Sequence, residues 1–92
     1  MTISLTDRFR RCCRDLSREE RAAVLKSMVE LDRVLEDPHR HIGVGLRKLF
    51  PGDLWELRVG LSLRMLFKLE KAQATFVFLG SHDEVQRFLR GL

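Results

Sequence analysis

The feature that most constrains the fold is a change in hydrophobic periodicity part-way along the chain. Before residue 37 the apolar side chains recur at the three- and four-residue spacing of amphipathic helices, and after Gly45 they alternate with every second residue. A period of two is typical of strands with one buried face. The chain has 92 residues, which is room for one domain. We therefore predict a single α+β domain spanning residues 1–92.

The first part of the chain predicts a short strand followed by two helices. Residues 2–5 alternate weakly, and Thr6 is suited to cap a first helix. Ser17 and Glu20 have the spacing of a capping box, in which each side chain accepts from the other residue's backbone N–H. They start a longer helix that Pro38 ends. We expect the two helices to form a hairpin on one face of a small sheet.

The second part predicts three or four main strands in a mostly antiparallel sheet, and then a short C-terminal helix. Turn residues separate the alternating segments, and Ser81 with Glu84 repeats the capping-box spacing at the start of the last helix. The predicted strands are 46–50, 54–59, 63–70 and 74–79.

The positive charge of the chain is concentrated in its middle third. The formal net charge is +4, yet residues 1–37 carry eight basic and eight acidic side chains, and residues 72–92 carry two of each. Residues 38–71 carry seven basic side chains against three acidic ones. This segment is either a solvated face or a patch that binds a polyanion.

The alternation also predicts the register of one hairpin. With a three-residue turn at 60–62, the apolar residues of both strands share a face, and Arg58 then lies directly opposite Arg64. Like charges in this arrangement repel each other. Two explanations remain open: an anion binds between the two arginines, or Glu56 on the same face neutralises one of them.

His82 is the first residue of the predicted last helix. The helix dipole and the free N–H groups there favour anions and disfavour a protonated imidazole, so we expect a neutral ring that can accept a proton. Asp83 either belongs to the capping turn or orients the ring. A structural role for a single histidine at a strand end is the alternative. His39 and His41 are expected on a loop surface.

Four segments together resemble the RelE/ParE toxin superfamily of bacterial toxin–antitoxin systems, and most of all its RelE-type and HigB-type translational repressors. The order and spacing of these segments carry the resemblance, which spans nearly the whole chain. They are Gly45–Leu49, Leu54–Val59, Leu63–Phe67 and Gly80–Val85. The resemblance implies a RelE-like fold and an endoribonuclease that enters the ribosomal A site and cuts messenger RNA.

The resemblance also implies roles for particular residues. Arg64 matches the family arginine that holds the scissile phosphate, and Arg58 matches a basic position on the neighbouring strand. His82 falls where relatives carry an arginine or another acid–base group. Phe88 falls near a position that is often a catalytic tyrosine, and the chain has no tyrosine. Leu63 also replaces a frequent aromatic residue.

These residue types suit RNA cleavage through attack of the 2′-hydroxyl group. The reaction needs a proton acceptor, a proton donor and stabilisation of charge on the phosphorane. We expect Arg58 and Arg64 to bind the phosphate and His82 to act as general acid or base. We expect Lys48, Arg47 and Lys68 to add RNA-binding charge, with no metal or cofactor. Glu56 replaces a lysine of some relatives and weakens the local positive field.

Two other functions remain open at this point. ParE-type members inhibit DNA gyrase without cleaving RNA, and a degenerate, non-toxic binding module would fit the missing tyrosine. In each case the resemblance implies a cognate antitoxin as partner, in a heterotetramer or larger assembly. Cys12 and Cys13 are adjacent, and neither a secretory signal nor a membrane span is evident, so a reduced, cytoplasmic protein is expected.

Overall fold

The computed structural model describes residues 1–36, 45–49 and 52–92, which form a five-stranded sheet with three helices. The strands are β1 (Thr2–Leu5), β2 (Leu46–Lys48), β3 (Leu54–Val59), β4 (Leu63–Glu70) and β5 (Gln73–Gly80). The helices are α1 (Asp7–Cys12), α2 (Arg18–Glu36) and α3 (His82–Arg90). The predicted α+β class is confirmed. The predicted helix stop at Pro38, the loop with His39 and His41, and the Pro51 turn lie outside the described residues.

The sheet has the order β1-β5-β4-β3-β2, and it is mixed. The pairings β2–β3, β3–β4 and β4–β5 are antiparallel, whereas β1 is parallel to β5. The prediction of a mostly antiparallel sheet with three or four main strands is therefore corrected. The physical reason is that β1 adds to the free edge of β5, where Thr2 N–H donates to the carbonyl oxygen of Ala72 at 2.8 Å.

The larger core cluster lies between the sheet and the first two helices. Phe67 on β4 is fully buried, with its ring centroid 5.2 Å from that of Phe76 and 6.5 Å from that of Trp55. Phe9 of α1 packs on Phe76 at 5.5 Å. The buried members of this cluster are Phe9, Val24, Met28, Leu31, Leu57, Val59, Met65, Phe67, Ala74, Phe76 and Leu79.

A second, smaller cluster contains α3. Leu66 and Val85 are fully buried there with Leu54, and Phe78 and Phe88 pack against them. Leu66 alternates with Met65 and Phe67 of the first cluster, so this cluster lies on the opposite side of the sheet. The face of the sheet that packs against α3 therefore has an apolar part under this helix and a polar part formed by side chains of β3 and β4.

The predicted helix caps are confirmed by their hydrogen bonds. The Thr6 hydroxyl accepts from the backbone N–H of Phe9 at 3.1 Å. Ser17 with Glu20, and Ser81 with Glu84, each form both bonds of a capping box, at 2.8 to 3.2 Å. Local sequence therefore determines where these three helices begin.

Two apolar residues of α2 remain outside the core. Val24, Met28, Leu31 and Val34 are buried, whereas Leu25 is 63% exposed and Val29 is 59% exposed. None of the described helices has the length and hydropathy needed to span a membrane.

Both cysteines are free thiols, partly buried against the first cluster. Burial raises the pKa of the Cys13 thiol, the neighbouring Cys12 adds to this rise, and Arg21 opposes it. Cys13 is therefore a poor nucleophile at neutral pH.

Candidate phosphate-binding site

Two arginines face each other across the β3–β4 hairpin. The register pairs Arg58 with Arg64 and Val59 with Leu63, as the sequence predicts. Gly60 has a φ of 62° in the intervening turn, which is a left-handed conformation that glycine adopts without a steric penalty. The hairpin therefore holds two guanidinium groups on neighbouring strands, on the face that contains α3.

The carboxylate of Glu56 neutralises part of this charge. Nη1 of Arg64 donates to Oε1 of Glu56 at 2.8 Å, and Nη2 of Arg47 lies 3.4 Å from the same oxygen. The Glu56 side chain is only 4% exposed. One of the two explanations left open by the sequence, neutralisation by Glu56, therefore holds for Arg64.

Arg58 differs from Arg64 because its side chain is exposed. In residues 1–36, 45–49 and 52–92, no carboxylate lies within ion-pair distance of its guanidinium. Arg58 thus presents an exposed side chain beside Arg64, whose guanidinium is held by Glu56. The cluster of Arg47, Arg58, Arg64 and Glu56 has three positive charges against one negative charge.

Gly45, directly before β2, supports Arg58 on the neighbouring strand β3. Its carbonyl oxygen accepts from the backbone N–H of Arg58 at 3.1 Å, and its φ of 75° is left-handed. A Cβ atom at this position would lie 2.9 Å from Cβ of Arg58, closer than side-chain atoms normally approach. The alternation pattern did not predict a place for Gly45 in the site, although a glycine directly before a basic strand is a usable signal for such a close approach.

His82 lies near the same end of the sheet. It is the exposed first residue of α3, and it follows Gly80, which is the β5 partner of Arg64. The order across three strands is thus Arg58, Arg64 and Gly80, with His82 two residues further on. Within the part of the chain that the structure describes, no hydrogen bond joins His82 to Asp83.

The other predicted RNA-binding residues are not all gathered at this site. Arg47 pairs with Glu56 in the β2–β3 ladder and joins the cluster, whereas Lys48 pairs with Trp55. Because neighbouring residues of a strand point to opposite faces, Lys48 lies on the other face, with its Nζ 6.0 Å from the Trp55 ring centroid. Lys68 shares the face of Arg64 but lies four residues further along β4, about 13 Å away at strand spacing.

Phe88 has a packing role in the structure. Its ring stacks on Phe78 at a centroid distance of 4.5 Å, and the Arg8 guanidinium lies 5.1 Å from the Phe88 ring centroid. Arg8 was not predictable from local sequence, because Phe78 and Phe88 are distant from it in the chain. Among the described residues, no group of histidine, cysteine and carboxylate side chains could hold a metal ion.

The sequence matches no protein-family model and no curated relative. Its fold, however, is similar to those of solved bacterial and archaeal toxins. A chain in the structure of the RelB–RelE antitoxin–toxin complex from Methanococcus jannaschii is 10% identical and has a TM-score of 0.69, with 92% of this chain and 96% of that chain covered.

Two further structures have the same fold. YafQ from Escherichia coli is 14% identical with a TM-score of 0.63, covering 90% of this chain and 94% of its own. The YoeB/ParE toxin from Agrobacterium tumefaciens is 16% identical with a TM-score of 0.63, covering 89% and 99%. The resemblance stated from the sequence is thus confirmed at the level of the fold, which is RelE-like.

Proposed function

We propose that this protein is the toxin of a type II toxin–antitoxin system and that it cleaves messenger RNA without a metal ion. The observation that carries the proposal is the arginine pair: Arg58 and Arg64 lie opposite each other on a RelE-like sheet, with Arg58 exposed. Guanidinium groups match the geometry of phosphate oxygens and are the residues of choice for binding a nucleic-acid backbone.

In the proposed reaction, Arg58 and Arg64 bind the scissile phosphate and stabilise the charge that develops on it. The RNA 2′-hydroxyl attacks the phosphorus, and the 5′-oxygen of the next nucleotide leaves. His82 either takes the proton from the 2′-hydroxyl or supplies a proton to the leaving 5′-oxygen, and solvent water makes the other proton transfer; its exposed ring is close in the fold to the strand partner of Arg64. The products are a 2′,3′-cyclic phosphate and a free 5′-hydroxyl. Arg47 extends the positive surface beside the reacting phosphate.

The proposed partners are messenger RNA on the ribosome and a cognate antitoxin in a heterotetramer or larger assembly, and the proposed location is the cytoplasm. The structure from Methanococcus jannaschii is a complex of a RelE toxin with the RelB antitoxin, which supports a partner of this kind. The exposed Leu25 and Val29 on α2 provide apolar surface that a partner could cover.

The test is primer extension on a message that is being translated, with the wild-type protein, Arg64→Ala and His82→Ala. We expect cleavage by the wild type and a loss of about 10²–10⁴-fold in both variants, the range for removing an acid–base or charge-stabilising group. Arg33→Ala, on the exposed surface of α2, is the matched control and should cleave normally. Equal cleavage by all four proteins would refute the assigned site.

The absence of tyrosine supports a second candidate, a binding module that holds RNA without cutting it. Phe88 has no hydroxyl group, and its ring is stacked on Phe78. RNA binding that depends on Arg58 and Arg64, together with intact messages and normal growth on induction, would favour this module. If DNA replication stops earlier than translation after induction, the result would instead favour a ParE-like inhibitor of gyrase.

A further inference from the structure

The buried carboxylate beside the arginine pair is not explained by phosphate binding. Glu56 carries a negative charge at a site proposed to hold another anion. Its residue exposure is 3%, and its Oε2 atom has no hydrogen-bond partner in the described part of the chain. Burying a carboxylate is unfavourable unless cations or donors compensate for the lost water. The unfavourable free energy of burying the Glu56 carboxylate indicates that this residue has a specific role.

The strand register shows what Glu56 does to Arg64. Arg64 is directly opposite Arg58, and Glu56 lies two residues from Arg58 on the same face of β3. Long side chains reach such diagonal neighbours. Repulsion from Arg58 and attraction by Glu56 therefore direct the Arg64 guanidinium towards Glu56, where Nη1 donates at 2.8 Å.

The three arginines of the cluster are held to different extents. The Arg64 side chain is 22% exposed and makes the short bond, while that of Arg47 is 61% exposed and lies 3.4 Å from the same oxygen. Arg58 is exposed and makes no such contact within the described residues. Because a guanidinium has five N–H donors, the bond to Glu56 leaves others free for a phosphate. Arg64 is thus the preorganised member of the cluster.

Resting on the function proposed above, we propose that Glu56 is a positioning residue. Its carboxylate holds the Arg64 guanidinium in the direction that the reacting phosphate requires, and its charge lowers the affinity for RNA. The charge of Glu56 therefore favours the correct orientation of Arg64 but disfavours the binding of RNA. Removing the charge should release Arg64 and strengthen RNA binding while slowing cleavage, because misplacement by about 1 Å can cost on the order of 10²-fold in rate.

The test separates binding from cleavage in Glu56→Gln, which keeps the size of the side chain. Glu70→Gln is the matched control, because Glu70 is exposed at the far end of β4 and loses the same charge. Binding is measured with a 2′-O-methyl RNA oligonucleotide, which lacks the attacking hydroxyl, and cleavage with a translated message. For Glu56→Gln we expect RNA binding at least as tight as that of the wild type and cleavage slower by on the order of 10²-fold. Glu70→Gln should match the wild type in cleavage.

A second readout does not depend on activity. In 15N-edited NMR spectra, the Arg64 side-chain signals should move towards those of exposed arginines in Glu56→Gln and stay unchanged in Glu70→Gln. If the wild type cleaves no RNA, the proposed function is wrong. The Arg64 signals and the RNA affinity then still show whether Glu56 positions Arg64. Should Glu56→Gln not fold, Glu56→Asp retains the charge with a shorter reach, and it should show the same shift of the Arg64 signals and slower cleavage.

Three results would overturn the positioning role. The first is cleavage of RNA by Glu56→Gln at the same rate as by the wild type. The second is a parallel loss of RNA binding and cleavage in a folded variant, which indicates a purely structural residue. The third is an unchanged set of Arg64 signals.

Discussion

At the scale of single residues, the site depends on close backbone packing as well as on charge. Gly45 and Gly60 both have left-handed backbones, but only Gly45 approaches a side chain of the site. The strand register of Arg58 and Arg64 was predictable, because alternation and a three-residue turn leave only one arrangement that buries the apolar face. The burial of Glu56 was not, since it results from partners on the two neighbouring strands β2 and β4 rather than from local sequence.

Substitution of the two glycines should separate stability from RNA binding. Gly45→Ala and Gly60→Ala should each lower the free energy of unfolding by about 1–2 kcal/mol, because alanine is disfavoured at a positive φ. Only Gly45→Ala should also weaken RNA binding, since its methyl group displaces Cβ of Arg58. Urea denaturation and fluorescence anisotropy with a labelled RNA measure the two effects. Equal RNA affinity in both variants would argue against support of Arg58 by Gly45.

At the scale of elements, capping residues define the helices, and the cap of α3 also places His82. Ser81 and Glu84 form a capping box identical in type to that of Ser17 and Glu20. The hydrogen bond from the Ser81 backbone N–H, aided by its side chain, lowers the pKa of Glu84 below its usual value. The ionised carboxylate is therefore the form that holds the start of α3.

Removal of either cap should destabilise the protein, but only one should affect cleavage. Ser81→Ala and Ser17→Ala should each cost about 1 kcal/mol of unfolding free energy. Ser81→Ala should also slow RNA cleavage, because His82 follows it directly. Thermal unfolding measures the loss of stability, and primer extension measures cleavage. If both variants cleave RNA at the same rate, the Ser81 cap does not position His82 for cleavage.

The lowered pKa of Glu84 also gives stability a pH dependence with a defined sign. The stabilisation from this carboxylate is present above its ordinary pKa of 4.5 and is lost as the pH falls through the lower value of the folded state. We expect Glu84→Gln to reduce the acid-induced loss of unfolding free energy, measured by urea denaturation between about pH 3 and 6. An unchanged acid dependence would show that this carboxylate is not coupled to folding.

The bounds of a strand could be predicted where neighbouring turns and alternation define them. The pairing of strands that are distant in the sequence could not be predicted. The strands at 54–59 and 63–70 have the predicted bounds, since turns and alternation define them. Strand β1 was predicted, but its parallel pairing with β5 was not, because residues 2 and 73 are far apart in the sequence and local alternation does not indicate their pairing. Of the predicted strand 46–50, residues 46–48 form β2, and Phe50 lies outside the described residues.

At the scale of the whole molecule, a small domain leaves part of its apolar surface uncovered. Leu25 and Val29 are one turn apart on α2 and are both mostly exposed, whereas Leu61 is an isolated exposed residue in the β3–β4 turn. The side chains of Leu25 and Val29 are the apolar surface of α2 that the sheet does not bury. The structure identifies which residues remain outside the core.

Replacement of this exposed pair should change association without changing folding. The double variant Leu25→Gln/Val29→Gln should keep the free energy of unfolding within about 0.5 kcal/mol per substitution, as expected at surface positions. It should also self-associate less than the wild type in sedimentation velocity experiments, because a contiguous apolar patch favours association. Leu61→Gln serves as the control and should leave sedimentation unchanged. Identical sedimentation of the wild type and the double variant would show that the patch does not mediate contacts.

The central claim is that Arg58 and Arg64 together hold one RNA phosphate. A double-mutant cycle of Arg58→Ala and Arg64→Ala, read out as affinity for 2′-O-methyl RNA, tests it most directly. We predict that each single variant binds more weakly than the wild type, and that the two losses are non-additive by at least roughly 0.5 kcal/mol, as for groups that share a partner. Wild-type affinity in both single variants would contradict the claim.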